Sequence, residues 1–264
     1  MFLLRKTFYT ALGAKVLSLV HFVGGIASLG LQAVVLIPAR PLGGARIFEQ
    51  AKKVGVDSLP IVALVSFFIG VILALQTAYI MQKMSSEIYI ASIVAVSLTR
   101  ELGPVITALI VAGRSGAGIT AELGTMAVTE QVDALVTLGS NPIKYLVVPR
   151  FLSMTLMLPV LTLFANAIGI FGGYLIGVYP LSIRSSLYMN MTFGTLVYKD
   201  LFTGLVKTVV FGMIIALVAC YEGLNVRGGA EGVGKATTMS VVNTFIMIIA
   251  ADCFFTALFY FFVK

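Results

Sequence analysis

From Pro60 to Gln82 the chain runs without a single Lys, Arg, Asp, Glu or His. About twenty such residues in a helix cross the roughly 30 Å hydrocarbon core of a bilayer. Comparable apolar blocks follow at about Ile88–Ala112, Leu146–Val178, Leu201–Leu224 and Val241–Val263. Backbone polar groups inside lipid have no water to bond to, so blocks of this kind are satisfied as helices. Composition agrees: 59% of the 264 residues are hydrophobic and 11% charged, where a soluble domain carries about 25% charged residues. The expectation is an all-α membrane protein with five transmembrane helices, and the short connections leave no room for a separate soluble domain. The whole chain, 1–264, is read as one domain, with an N-terminal interfacial region at 1–57 and a transmembrane bundle at 58–264.

The N-terminus begins with Arg5 and Lys6 before an apolar run from Val16 to Ile37 that holds Gly24, Gly25 and Gly30. A signal peptide has this outline, but Pro38-Ala39-Arg40-Pro41 follows in place of a small-residue cleavage site. Residues 1–37 are therefore expected to stay as a helix that lies in the membrane or spans it. Asp57 and Ser58 ahead of Pro60 form a helix-start signature, a capping side chain and then proline in the first turn. Pro149 and Pro159 mark places where the third span could tilt or break, Pro180 to Lys199 is a short polar connector, and Asn225 to Lys235 is a Gly-rich loop.

Orientation follows from the Lys/Arg count. With the N-terminus inside, twelve fall on the cytoplasmic side (Arg5, Lys6, Lys15, Arg40, Arg46, Lys52, Lys53, Arg114, Lys144, Arg150, Arg227, Lys235) and four outside (Lys83, Arg184, Lys199, Lys264). Arg100 and Lys207 remain in the membrane. The positive-inside rule then places the N-terminus in the cytoplasm and the C-terminus across the membrane. The same bias accounts for the formal net charge of +7 without nucleic acid, for which no aromatic-interleaved basic patch exists.

Several chemistries are excluded. Cys220 and Cys253 sit in apolar runs without metal-ligand or disulfide spacing, and His21, the one histidine, has no ligand-spaced or triad partner. No carboxylate cluster suited to magnesium appears. The stretch from Gly229 to Ala236 (GAEGVGKA) nearly matches a phosphate-binding loop, but Ala236 lacks the hydroxyl that holds magnesium and no strand precedes it. No cofactor is expected.

The charges inside the spans are informative. Arg100 and Glu101 are adjacent, and each costs about 2.5–3.5 kcal/mol at a helix centre unless partnered or hydrated. Neighbours on a helix point about 100° apart, so one faces a cavity while the other pairs elsewhere, either as a structural ion pair or as a polar patch for a head group. Asp200 and Lys207 are two turns apart on one face, and Lys207 is expected to pair with Asp252 or Glu101. Ala165, Gly169, Gly173 and Gly177 form a stripe at intervals of four that lets another backbone approach, within the chain or across a dimer.

The run from Arg100 to Met126 (RELGPVITALIVAGRSGAGITAELGTM) resembles the signature of the MlaE-type permeases, the membrane subunits of MCE-associated ABC lipid transporters. Thr129–Ala134 (TEQVDA), Pro149-Arg150-Phe151, Gly172-Gly173, Lys235–Thr238 (KATT) and Asp252 add to the likeness, which covers the chain from about residue 55. The resemblance implies a homodimer in the inner membrane, an N-terminal membrane-lying elbow helix, a cytoplasmic coupling helix and an outward-facing cavity for phospholipid between protomers. It also implies partners: cytoplasmic ABC ATPase subunits, and a periplasmic MCE-domain protein. Hydrolysis would belong to those ATPases, not to this chain. Asp133-Ala134-Leu135 with Gly139 resembles the E-A-A-x-x-x-G coupling element of ABC importers, although Pro149 comes sooner than that pattern expects. Carried over by position, the lipid cavity maps to Leu73, Gln76, Met81, Met84, Arg100 and Glu101, and the ATPase-coupling surface to Glu122, Thr125, Met126, Glu130 and Asp133. Met84 stands where some relatives carry an aromatic. Asp200, Lys207 and Asp252 are set apart as an intramembrane charge network.

Two other readings compete with that expectation. Few but embedded carboxylates would also suit a secondary transporter of an amphiphile driven by an ion gradient, and a membrane scaffold without transport is the third reading.

Overall fold

The computed structural model describes residues 2–38 and 43–262. Arg40, Val263 and Lys264, which enter the charge count and the fifth span, lie outside them. Among the described residues there are helices and no strands. In chain order these are α1 (Phe2–Leu36), α2 (Gly44–Gly55), α3 (Leu59–Lys83), α4 (Ile90–Ser97), α5 (Gly103–Val111), α6 (Ala117–Val128), α7 (Gln131–Thr137), α8 (Val148–Val178), α9 (Ser185–Thr195), α10 (Tyr198–Leu224) and α11 (Gly229–Phe262).

Five helical segments are long and apolar enough to cross a membrane: Gly44–Lys83, Glu87–Val128, Ile143–Val178, Tyr198–Leu224 and Gly229–Phe261. The second is longer than the block predicted from hydropathy, because α4, α5 and α6 run on through two π-helical turns at Leu98–Leu102 and Ala112–Gly116. A π turn admits an extra residue and turns the side chains that follow, and such turns recur at functional sites. Here they hold Arg100, Glu101 and Arg114.

A third π turn, Ile143–Val147, leads into Pro149. Proline has no N–H for the carbonyl four residues back. That carbonyl, Tyr145 O, is taken instead by Arg46 Nη1 of α2 at 3.4 Å, and the Arg46 guanidinium sits 3.8 Å over the Tyr145 ring. The helix thus passes Pro149 by way of the π turn, and α8 continues unbroken through Pro159.

The core lies where α8 and α10 pack against α3, α5 and α6. Leu123, Met154, Leu158, Leu161, Phe211 and Ile215 are among its fully buried side chains. The small-residue stripe is used within the chain. A Cβ on Gly70 of α3 would collide with the Gly169 carbonyl, and one on Gly177 with the Tyr188 ring of α9. This brings α3 and α8 to backbone contact, where dispersion between close-packed helices supplies the attraction that apolar exclusion cannot provide in lipid.

Four local expectations differ from the observed structure. Ser58 precedes α3 with Pro60 in its first turn, but its hydroxyl makes no cap; it lies 3.1 Å from Ser115 Oγ and accepts from Arg114 Nη1 at 3.1 Å. The connector from Pro180 to Lys199 contains α9, a helix held by the buried Tyr188 and Thr192. The Gly-rich loop shortens to a turn, with Gly228 and Gly229 at positive φ, and α11 already begins at Gly229. The second span, expected to end near Ala112, runs on through α6 to Val128, and α7 stands apart from it.

Two stability measurements follow. Gly70→Leu should lower the stability of the detergent-solubilised protein by at least about 1–3 kcal/mol through overpacking, while Gly118→Ala, at an open helical position, should be neutral or stabilising by up to about 1 kcal/mol. Thermal unfolding compares the two. Burial pushes the Tyr188 phenol up to about 12, so it stays neutral in any ordinary buffer, and its hydroxyl has no hydrogen-bond partner. Tyr188→Phe should therefore be neutral or stabilising, since an unpaired buried hydroxyl costs about 1–3 kcal/mol; a clear loss of stability would show that the hydroxyl has a partner.

Candidate functional site

The π turn at Leu98–Leu102 is held between α8 and α10 by two glycines. A Cβ on Gly103 would meet the Asn166 amide, and one on Gly204 would meet the Thr99 carbonyl. These close approaches bring Arg100 and Glu101 to the side of α10.

The two charges then part, as their 100° separation requires. Arg100 Nη1 lies 3.7 Å from Asp200 Oδ1, and its side chain is 45% exposed. The Asp200 carboxylate also accepts the Val197 backbone N–H at 3.4 Å, so it closes the first turn of α10 while it holds the arginine. Glu101 turns to Lys207, whose side chain is 1% exposed. The Lys207 ammonium donates to Glu101 Oε2, donates to Thr256 Oγ1 at 2.7 Å and lies 2.9 Å from Asp252 Oδ1. Thr256 in turn donates to Glu101 at 3.2 Å. One buried cation thus ties α10 to the Glu101 turn and to α11. An ammonium taken out of water needs close oxygen partners to offset its desolvation, and here three of its neighbours are oxygen ligands.

Both sequence alternatives for Lys207, Glu101 and Asp252, are realised together. Asp200 and Lys207, which share a face of α10, belong to separate pairs that meet through the adjacent Arg100 and Glu101. Thr256 escaped the sequence reading. Its signal was its position four residues after Asp252, on the same face of a helix.

The four other residues assigned to the lipid cavity lie along the end of α3. Leu73 and Met81 pack on a small apolar cluster of Ala74, Ala78, Ile90, Val94 and Leu98. Gln76 and Met84 are exposed, Met84 at 65%. Leu98 of that cluster, with Leu102 packed against it, bounds the turn that carries Arg100 and Glu101. A cavity of about 820 Å³ opens elsewhere, between α8, α9 and the start of α10; Thr99, Asn166, Phe171, Phe193 and Leu201 are among its walls, and none of the six assigned residues is.

At the opposite end of the bundle the assigned coupling residues fall into two groups. Glu122, Thr125 and Met126 are on α6. Glu122 is engaged by Arg150 Nη2 at 2.9 Å, an arginine buried in α8 that also donates to the Leu146 carbonyl at 2.8 Å. Thr125 returns its hydroxyl to the Ala121 carbonyl, and Met126 packs on the core. Glu130 takes a left-handed backbone, φ 60°, that turns the chain into α7, where Asp133 stands in the first turn. Gly139, the glycine of the coupling-like motif, has φ 73°. Its N–H bonds to the Val136 carbonyl and that of Ser140 to the Leu135 carbonyl, the paired bonds of a Schellman helix end. The motif glycine has a direct conformational reason: it ends α7. Val136 and Leu138 of this segment are exposed.

Among the described residues no group of His, Cys, Asp or Glu is arranged to hold a metal. Cys220 is buried and Cys253 exposed, both as free thiols.

Comparison with known proteins agrees with this architecture. Residues 47–258 match the family described as Permease MlaE. A probable ABC transporter permease protein of Rickettsia bellii is 46% identical over 250 residues, 95% of this chain and 96% of that protein. A probable ABC transporter permease protein of Synechocystis is 40% identical over 206 residues, 78% of each chain. The intermembrane phospholipid transport system permease protein MlaE of Haemophilus influenzae is 33% identical over 252 residues, 95% of this chain and 97% of that one. With five membrane-crossing helices and a match across most of its length, the chain belongs to the MlaE permease family of ABC transporter membrane subunits.

Proposed function

We propose that this chain is the subunit through which a phospholipid or related lipid passes between the inner membrane and a periplasmic MCE-domain protein, with ATP hydrolysed by a separate cytoplasmic subunit. The observation that carries the reading is the charge cluster of Arg100, Glu101, Asp200, Lys207 and Asp252 inside an otherwise apolar bundle. Charges at this depth are expensive and mark a substrate path more often than a structural need. Arg100 is half exposed although paired, which suits contact with an anionic head group, while the buried Lys207 holds the frame behind it.

The working form is a homodimer. Within one chain only 11% of the apolar window of α11 is buried, against 50% for α10. The exposed row on α11 (Ile246, Ile249, Phe254) and that on α3 (Leu64, Phe68, Ile72) are open to a second copy or to acyl chains. In this reading Leu73, Gln76, Met81 and Met84 line a cavity that the second protomer completes. α7, with Asp133 and the exposed Val136 and Leu138, is the coupling helix that meets the ATPase, and Glu122, locked to Arg150, transmits its movement to α8. α1 is the membrane-lying elbow. The N-terminus lies in the cytoplasm and the C-terminus in the periplasm.

Arg100→Ala and Glu101→Ala, each in the complete transporter reconstituted in liposomes, should lower ATP-dependent transfer of fluorescent phospholipid at least tenfold. Glu101→Ala should also destabilise the chain by about 3–5 kcal/mol, because it strips a partner from a buried cation; Arg100→Ala, whose pair is partly exposed, should cost about 0–1 kcal/mol. Transfer at the parent rate in Arg100→Ala would remove Arg100 from the lipid path.

A further inference from the structure

A basic concavity lies at the other end of the bundle from the Lys207 cluster, between the last turns of α2 and the start of α6. Gln50 and Lys53 form one wall, and Arg114, Ser115, Gly118 and Glu122 the other. Arg114 is exposed, yet its Nη1 donates to Ser58 Oγ at 3.1 Å, which lies 3.1 Å from Ser115 Oγ. The guanidinium end is thereby held beside the Ser115 wall. A guanidinium carries five N–H donors in a fixed fork, and Ser58 is the one partner of Arg114 among the described residues. Lys53 meets Glu49 at 3.4 Å across an exposed helix face, a pair that water largely screens. The carboxylate on the wall, Glu122, is already met by the Arg150 guanidinium at 2.9 Å. The concavity therefore keeps a positive excess with unused donors.

Gly118 keeps the space open. A Cβ added there meets nothing within 4 Å, and glycine inside a helix is less stable than alanine. The packing does not ask for it, whereas a bare backbone suits the close approach of a ligand. Depth adds a further constraint. Ser58 stands just before the charge-free run that begins at Pro60, and Arg114 ends the charge-free stretch that follows Glu101. The concavity thus sits where apolar span gives way to the head-group layer, and exposed Val56, Ile61 and Leu64 continue the chain into α3 as apolar surface. Its volume is about 310 Å³. At roughly 30 Å³ per non-hydrogen atom, about a water's share of its liquid, it holds about ten such atoms, a phosphate with a glycerol, and is far too small for a nucleotide.

We propose that this concavity binds the phosphate of an anionic glycerophospholipid, of the phosphatidylglycerol class, from the leaflet it borders. Arg114 offers its fork to the phosphate oxygens and Lys53 a point charge, while the half-buried Gln50 amide meets the glycerol hydroxyls. Basic pockets between membrane helices recognise lipid head groups in this way. A bound head ties α2 to α6, and Arg100 takes no part in it.

The test uses the complete transporter in phosphatidylcholine nanodiscs with a phosphatidylglycerol probe that carries a diazirine near its head group. Photolabelling should saturate and fall on peptides spanning 47–56 and 114–122. Unlabelled phosphatidylglycerol should compete, and neither added phosphatidylcholine nor millimolar inorganic phosphate should. Gly118→Leu, which fills the concavity without removing a contact, should lower labelling about tenfold, and Lys53→Gln with Arg114→Gln should do the same, a charge-assisted hydrogen bond being worth about that factor or more. Gly118→Leu and Lys53→Gln alone decide the matter if the Arg114 variant fails to assemble. Arg100→Ala should label as the parent does. Labelling unchanged in Gly118→Leu and in the lysine variants, or spread evenly over α3 and α11, would overturn the proposal. Full displacement by inorganic phosphate would make the ligand a free anion and overturn the lipid assignment. Labelling that appears only after the ATPase subunit is removed would also overturn it, since a protein partner would then cover the concavity. Loss of labelling in Arg100→Ala would refute the separation of this site from the Arg100 cluster.

Discussion

Burying one ammonium in an apolar bundle fixes more of this structure than any other interaction. Lys207 is sealed within α10, where an uncompensated charge would cost several kcal/mol. Its partners come from the Glu101 turn and from α11, elements far apart in sequence, so satisfying Lys207 requires these segments to converge. The π turn at Leu98–Leu102 and the glycines at 103 and 204 are the local means of that convergence: the turn rotates Glu101 toward α10, and the missing side chains let the backbones close. The rest of the bundle then packs as apolar helices do, with backbone contact at Gly70 and Gly169.

This arrangement separates a rigid frame from an accessible charge. The cluster around Lys207 is internally partnered and rigid. Arg100, one residue away, is held by Asp200 but stays half exposed. At the other end of the bundle, Arg150 and Glu122 tie α8 to α6, and the Schellman end at Gly139 sets the limit of α7. α8 runs from that bridge to the wall of the α9 cavity, so movement at α7 and α6 has a single stiff helix along which to reach the opposite face.

Much of the fold was legible because hydropathy in lipid is nearly a one-dimensional code. The apolar blocks and the Lys207 partners were set by length and charge alone. What escaped the reading has specific causes. The π turns leave no hydropathy trace, so the second span read as ending near Ala112 when it continues to Val128. α9 hid behind Pro180 and the polar residues that follow, since its stability comes from Tyr188 packing on Gly177 of another helix. The α9 cavity was invisible for the same reason. Gly229 to Lys235 read as a loop because its glycines are poor helix formers, yet the turn needs only Gly228 and Gly229. The cavity assigned to Leu73, Gln76, Met81 and Met84 was carried by resemblance alone.

The central claim is that lipid moves through this chain on energy supplied by another polypeptide. The most direct measurement is transfer of fluorescent phospholipid out of liposomes that hold this chain with and without its ATPase subunit, with ATP and an imposed proton gradient varied separately. The account predicts transfer only when both the ATPase and ATP are present, with no response to the gradient. Transfer by the chain alone, driven by the gradient, would contradict it.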